Sequence, residues 1–111
     1  MNNFPKRGEV YWVSLDPTIG SEVRKTRPGL ILSNNSANKY SDRVIIGPIT
    51  SSIKRLYPFE AQVRSPHGDN KVMLDHIRSV DKKRLGSKIY SISELEMREV
   101  ERALKLALAI P

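Results

Sequence analysis

Short runs of β-branched and aromatic residues, each cut off by proline, glycine or a polar cluster, fill this chain as far as residue 91. Only beyond that point does a helical period appear. Such a pattern describes a small, strongly bent antiparallel sheet closed by one C-terminal helix. The expected strands cover residues 10–13, 29–33, 44–46 (ended by Gly47-Pro48), 59–63, 71–74, a short piece at Val80, and 88–91. In the first, alternation places Val10 and Trp12 on one face and Tyr11 and Val13 on the other, with Trp12 read as a core residue. Residues 34–42 are polar and read as a surface loop, and 65–70 as a hairpin connection. Ser93-Glu94-Leu95-Glu96 has the form of a capping box, with Ser93 as N-cap and Glu96 three residues on. Behind it Met97, Val100, Ala103, Leu104, Ala107 and Leu108 make one apolar stripe, opposite Arg98, Glu99, Glu101, Arg102 and Lys105. The mixed charge of that polar face favours packing on the sheet over a lipid surface.

At 111 residues the chain has the size of one domain, 1–111. No apolar run approaches the roughly 20 residues needed to span a bilayer, and Met1 to Arg7 lacks the apolar segment of a signal peptide. There is no cysteine, which excludes disulfides and thiolate metal sites. A cytoplasmic location is expected. Nineteen Lys and Arg against twelve Asp and Glu give a net charge of +7, and such an excess favours a polyanionic partner.

The charge gathers on one stretch. In residues 20–29, Arg24, Lys25 and Arg27 stand beside Glu22, and Pro28 leads into the apolar run Leu30-Ile31-Leu32. A residue before proline is pushed to extended geometry, so Arg27 is expected in a fixed backbone at the mouth of a strand. A guanidinium held this way suits bidentate recognition of phosphate; an ordinary solvated basic loop has the same composition. Other chemistries find little support. His67 and His76 offer no zinc-ligand spacing, the carboxylates form no paired set, and neither a nucleophile elbow nor a phosphate-binding glycine loop is present. Metal-free RNA cleavage needs none of these. RNA carries its own nucleophile, the 2′-OH, and the protein must orient it, neutralise the phosphoryl oxygens and assist the leaving 5′-oxygen.

Three motifs in order make the sequence similar to a known family. Gly8-Glu9-Val10-Tyr11-Trp12, Leu15 to Glu22 and Lys25-Thr26-Arg27-Pro28 resemble the opening signature of the MazF/PemK toxins. Pro48-Ile49-Thr50-Ser51 resembles their second motif, and Asp75 to Asp81 followed by Arg84-Leu85 their third. The resemblance implies a mainly β, α+β fold: an SH3-like antiparallel barrel of the CcdB/PemK type with a C-terminal α-helix, as a homodimer. It implies a ribosome-independent, sequence-specific endoribonuclease (mRNA interferase) that cuts single-stranded RNA without metal or other cofactor. The products would be a 2′,3′-cyclic phosphate and a 5′-OH. The partner would be an acidic, MazE-like antitoxin lying in the RNA groove.

Carried over residue by residue, Arg27 takes the place of the family's essential arginine and Thr50 that of its essential threonine. Arg27 suits a phosphate clamp rather than a general base, since a guanidinium stays protonated. Thr50 suits orientation of the 2′-OH or a phosphoryl oxygen; an isolated threonine there is otherwise a turn cap. The PemK-like branch has a histidine at the place of Ser21 and an arginine at that of Met73, and of its set only Asp75 is kept. His76 stands where glutamine is usual, either as an acid or base, a role open to histidine near neutral pH, or as a hydrogen-bonding replacement. Glu22 is a candidate partner of the arginine or of a base edge. Arg24, Lys25, Lys54, Arg55 and Arg78 are candidate phosphate contacts, and Tyr57 a candidate stacking residue. Ser51, Asp75 and His76 complete the expected RNA-binding set. Lys54 and Arg55 read equally well as a solvated loop. Two other classes stay open: a gyrase-poison-like toxin of similar fold, and a silent RNA-binding module.

Overall fold

The computed structural model describes residues 3–15 and 26–111. The described residues form seven strands: β1 (Glu9–Ser14), β2 (Thr26–Ile31), β3 (Arg43–Thr50), β4 (Glu60–Ser65), β5 (Gly68–Met73), β6 (Arg78–Asp81) and β7 (Leu85–Ser91). Two α-helices, α1 (Asn35–Tyr40) and α2 (Glu94–Ala107), and 3-10 turns at Leu74–His76 and Lys82–Arg84 complete the described elements. Every strand pairing is antiparallel, in the order β4-β5-β3-β2-β1-β7, with β6 also beside β3. The result is a curled sheet with a C-terminal helix, the expected mainly β architecture.

β3 is the hub. One edge pairs with β2; the other pairs with β6 through Arg43 to Ile46 and with β5 through Ile49 and Thr50. The expectation that Gly47-Pro48 ends this strand is therefore corrected: β3 runs straight through it. The reason lies in the backbone. Ile45 points both its polar groups towards the β2 side, accepting from Leu32 N–H at 2.9 Å and donating to Ser33 Oγ at 3.0 Å. Alternate residues then face the other edge, and Pro48 falls in the gap between β6 and β5, where a missing donor costs no ladder bond. Gly47 is needed for close packing, since a Cβ there would lie 2.9 Å from Val72 Cγ1.

Both faces of the sheet are buried. On one, Val10, Leu30, Ile49, Val63, Val72 and Leu74 pack beneath Val100 and Ala103 of α2. On the other, Val13, Ile31, Val44, Ile46 and Val80 form a second core with Tyr11 and Leu85 against it. The capping box is complete: Ser93 Oγ accepts from Glu96 N–H at 3.1 Å, and Glu96 Oε1 accepts from Ser93 N–H at 2.9 Å. Glu96 Oε2 also accepts from Arg64 N–H at 2.7 Å, tying the start of the helix to β4.

Four further expectations are corrected. Residues 34–42 are not all loop, because α1 forms there with Asn34 as its N-cap, accepting from Ala37 N–H at 2.8 Å. Trp12 does lie on the face of Val10, but it is 41% exposed, beyond the part of that face that α2 covers. Leu108 caps α2 and is exposed, whereas the rest of the stripe packs inward. The hairpin at 65–70 is tighter than expected: β4 and β5 pair up to Ser65 and Gly68, leaving Pro66-His67 as the turn.

Candidate active site

Arg27 lies within β2, opposite Val13 of β1, and is exposed. The extended backbone expected before Pro28 is present, but as a strand position rather than a loop. On its other side β2 pairs with β3 through Gly29↔Pro48, Leu30↔Gly47 and Ile31↔Ile46. Continued two residues, this register sets Arg27 opposite Thr50. The period of two puts both on the face of Gly29 and Pro48, the face that buries Val13 and Ile46 further in. The guanidinium and the hydroxyl thus project from adjacent, core-anchored strands at the open end of one face.

Thr50 is half-buried at the end of β3, and its Oγ1 accepts from Ser52 N–H at 3.2 Å. The turn-capping role is real. It does not use up the group, because a hydroxyl can donate while it accepts. Across the other edge of β3, Thr50 pairs with Lys71 of β5.

Residues 51–59 leave directly from Thr50. Ser51, Lys54, Arg55 and Tyr57 are all exposed, and Arg55 Nη1 donates to Tyr57 Oη at 3.3 Å. The Tyr57 and Phe59 rings are parallel, with centroids 5.4 Å apart. Asp75 and His76 sit on the 3-10 turn that bridges β5 and β6. Asp75 Oδ2 is 3.5 Å from His76 Nε2, and both side chains are exposed. Arg78 is exposed on β6 opposite Ile46. That is four residues along β3 from Thr50, about 13 Å at strand rise, which suits a contact to a neighbouring nucleotide more than to the reacting phosphate. Among the described residues Lys54, Arg55 and Arg78 meet no carboxylate. Met73 closes β5 opposite Glu60. Glu22, Arg24 and Lys25, with Ser21, lie outside the described residues. Among the described residues no cluster of three His, Asp or Glu side chains could hold a metal ion.

Two residues that the sequence reading passed over also belong to this region. Lys71 and Glu60 are buried, on the same face as Thr50, with Lys71 Nζ 2.8 Å from Glu60 Oε1. No local signal marked them: each sits on the strand face opposite the α2 core, and their meeting is legible only once the register is known.

Comparisons with known proteins identify the family and the fold. The model of the PemK-like, MazF-like toxins of type II toxin–antitoxin systems matches residues 6–108. The chain is 38% identical over 110 residues to the endoribonuclease MazF of Staphylococcus epidermidis, covering 95% of this chain and 92% of that protein. A solved endoribonuclease from Mycobacterial species superposes with a TM-score of 0.81 at 28% identity, covering 98% and 95% of the two chains. A second Mycobacterial endoribonuclease, solved in complex with its cognate antitoxin, superposes with a TM-score of 0.79 at 28% identity, covering 96% and 97%. With the motifs, the curled sheet and the family model in agreement over nearly its whole length, the chain belongs to the PemK/MazF family of type II toxin–antitoxin toxins.

Proposed function

We propose that this chain, acting as one domain over 1–111, is a metal-independent endoribonuclease that cuts single-stranded mRNA at a specific sequence and so stops translation. The observation that carries the reading is the β2–β3 register, which, continued two residues past Gly29↔Pro48, brings Arg27 and Thr50 to facing positions, in a chain 38% identical to an endoribonuclease MazF. In the reaction the 2′-oxygen attacks the adjacent phosphorus. A new O2′–P bond forms and the P–O5′ bond breaks, the 2′-OH proton passes to water, and O5′ takes up a proton from water. The products are a 2′,3′-cyclic phosphate and a 5′-OH.

Arg27 neutralises the charge that builds on the phosphoryl oxygens, through paired N–H donors that match their spacing. Thr50 donates its hydroxyl proton to a phosphoryl oxygen, while the Ser52 N–H fixes its rotamer. Neither is the base. Lys54, Arg55, Arg78, Arg24 and Lys25 hold flanking phosphates, and these contacts fix the position of the strand without reading its sequence. Glu22, Ser51, Asp75 and His76 contribute hydrogen-bonding groups to bases or to the arginine. Tyr57 offers a ring for stacking.

The partners are single-stranded RNA, a second copy of the chain, and an acidic MazE-like antitoxin whose carboxylates compete for the same cations. The Mycobacterial relative solved with its cognate antitoxin supports that last role. The place of action is the cytoplasm, where the substrate is. End-group analysis of RNA cut in EDTA tests the chemistry: a 5′-OH and a cyclic phosphate are expected, and 5′-phosphate ends would overturn the mechanism.

A further inference from the structure

Residues 51–59 carry exposed side chains throughout except at Phe59, so apolar burial does little to fix their path. Besides the Ser52 N–H bond to Thr50 Oγ1 and a turn bond from Glu60 N–H to Tyr57 O at 2.9 Å, three side-chain hydrogen bonds from other elements hold their backbone. Lys71 Nζ donates to Arg55 O at 2.7 Å, Tyr57 N–H donates to Glu60 Oε1 at 2.9 Å, and Arg102 Nη1 of α2 donates to Pro58 O at 3.2 Å. Lys71 and Glu60 are joined to each other at 2.8 Å in a buried position. Lys71 Nζ also lies 5.8 Å from the centre of the Tyr57 ring.

A buried ion pair is a poor stabiliser, and an apolar pair of similar volume commonly serves as well or better. What an apolar pair lacks is a donor for the Arg55 carbonyl and an acceptor for the Tyr57 amide. These are two residues whose side chains are exposed on the segment that leaves Thr50.

We propose that Lys71 and Glu60 are positioning residues. By clamping the backbone at Arg55 and Tyr57 they fix the two side chains that grip the RNA strand next to the scissile phosphate. The inference rests on the RNA-cleaving reading above. Neither residue touches the reacting atoms, so removing the clamp weakens the hold on RNA and leaves the chemical step intact.

The test is the double substitution Lys71→Met/Glu60→Leu, which keeps the site filled and leaves no lone buried charge. Cleavage of a long unstructured RNA in EDTA gives KM and kcat. Filter binding of the same RNA is measured in an Arg27→Ala background, where it stays whole. The expected result is an unchanged or higher melting temperature, with KM raised about tenfold, the scale of one lost stacking or phosphate contact. Binding weakens by the same factor, and kcat stays within about twofold. In an Arg55→Ala/Tyr57→Ala background the clamp substitution has little further effect, because coupled residues are not additive. An unchanged KM, a fall confined to kcat, or effects that multiply in that background would overturn the proposal. If the double variant does not fold, Lys71→Met alone is judged by the same criteria. A wild type that binds RNA without cutting it overturns the nuclease reading and leaves the clamp to be decided by binding. A wild type that binds no RNA overturns both.

Discussion

Thr50→Val separates the two roles that the structure gives one hydroxyl. Valine keeps the shape of threonine and removes only the oxygen's bonding. As a turn cap, Thr50 Oγ1 holds the Ser52 N–H at 3.2 Å, with Ser52 exposed. That bond is at the long end of the normal range, and the freed amide turns to water. The stability cost is about 0.5–1 kcal/mol, a fall in melting temperature of roughly 2–8 °C for a domain near 100 residues. A protein with about 5 kcal/mol or more in hand stays folded after that loss, so unfolding cannot imitate a large drop in activity. As a donor to the charged transition state, the same hydroxyl is worth about 100- to 1,000-fold in rate. The assays are a thermal melt beside initial rates of RNA cleavage in EDTA. A small stability loss with a rate loss of at least about 100-fold is expected, and Thr50→Ser should restore most of both. A Thr50→Val enzyme with near wild-type kcat would reduce Thr50 to a turn cap and refute the reasoning.

Other consequences can be checked separately. Gly29→Ala should destabilise the fold by about 1–3 kcal/mol, because its Cβ would lie 2.8 Å from Val13 Cγ2 on the next strand, a fully buried side chain; an unchanged urea midpoint would contradict the close packing of β1 on β2. Burial tends to raise the Glu96 carboxyl, but hydrogen bonds from the Ser93 and Arg64 amides and the Ser93 hydroxyl outweigh it, holding the group below its ordinary 4.5. A depressed folded-state value stabilises the protein above pH 4.5 and loses that contribution as the pH falls through it. The melting temperature of the wild type should therefore drop more steeply below about pH 5 than that of Glu96→Gln, and parallel curves would remove Glu96 from the account. His76→Gln should keep most of the cleavage activity, as expected for an exposed hydrogen-bonding side chain; a folded but inactive variant would make His76 the acid or base.

The elements legible in the sequence were those whose burial follows a single period. α2 announced itself through Ser93, Glu96 and a stripe that packs as expected from Met97 to Ala107. The short strands were visible as β-branched runs. α1 was not, because its inward residue is Asn38, buried through bonds to the Ser33 carbonyl at 2.8 Å and to Asn35 Oδ1 at 3.3 Å rather than by apolar contact. The extent of β3 was missed because Gly47-Pro48 ends a strand in most settings and is harmless only where the edge partner changes. Trp12 was misjudged because a face that is core at Val10 is open two residues later. In the proposed site, Arg27 and Thr50 were singled out by motif, and the β2–β3 register, continued two residues, sets them opposite each other. The Lys71–Glu60 link joins residues eleven apart on neighbouring strands, and no local pattern carries such a contact.

The most direct measurement of the central claim is to incubate the purified protein, beside its Arg27→Ala variant, with a long unstructured RNA in EDTA and to map the ends by primer extension. Arg27 is exposed on β2, so the variant should fold and melt like the wild type. Discrete cuts at one recurring sequence, made by the wild type and absent with Arg27→Ala, are the predicted result. Intact RNA with a folded wild type, or equal cutting by a folded Arg27→Ala protein, would contradict a site built on Arg27 and Thr50.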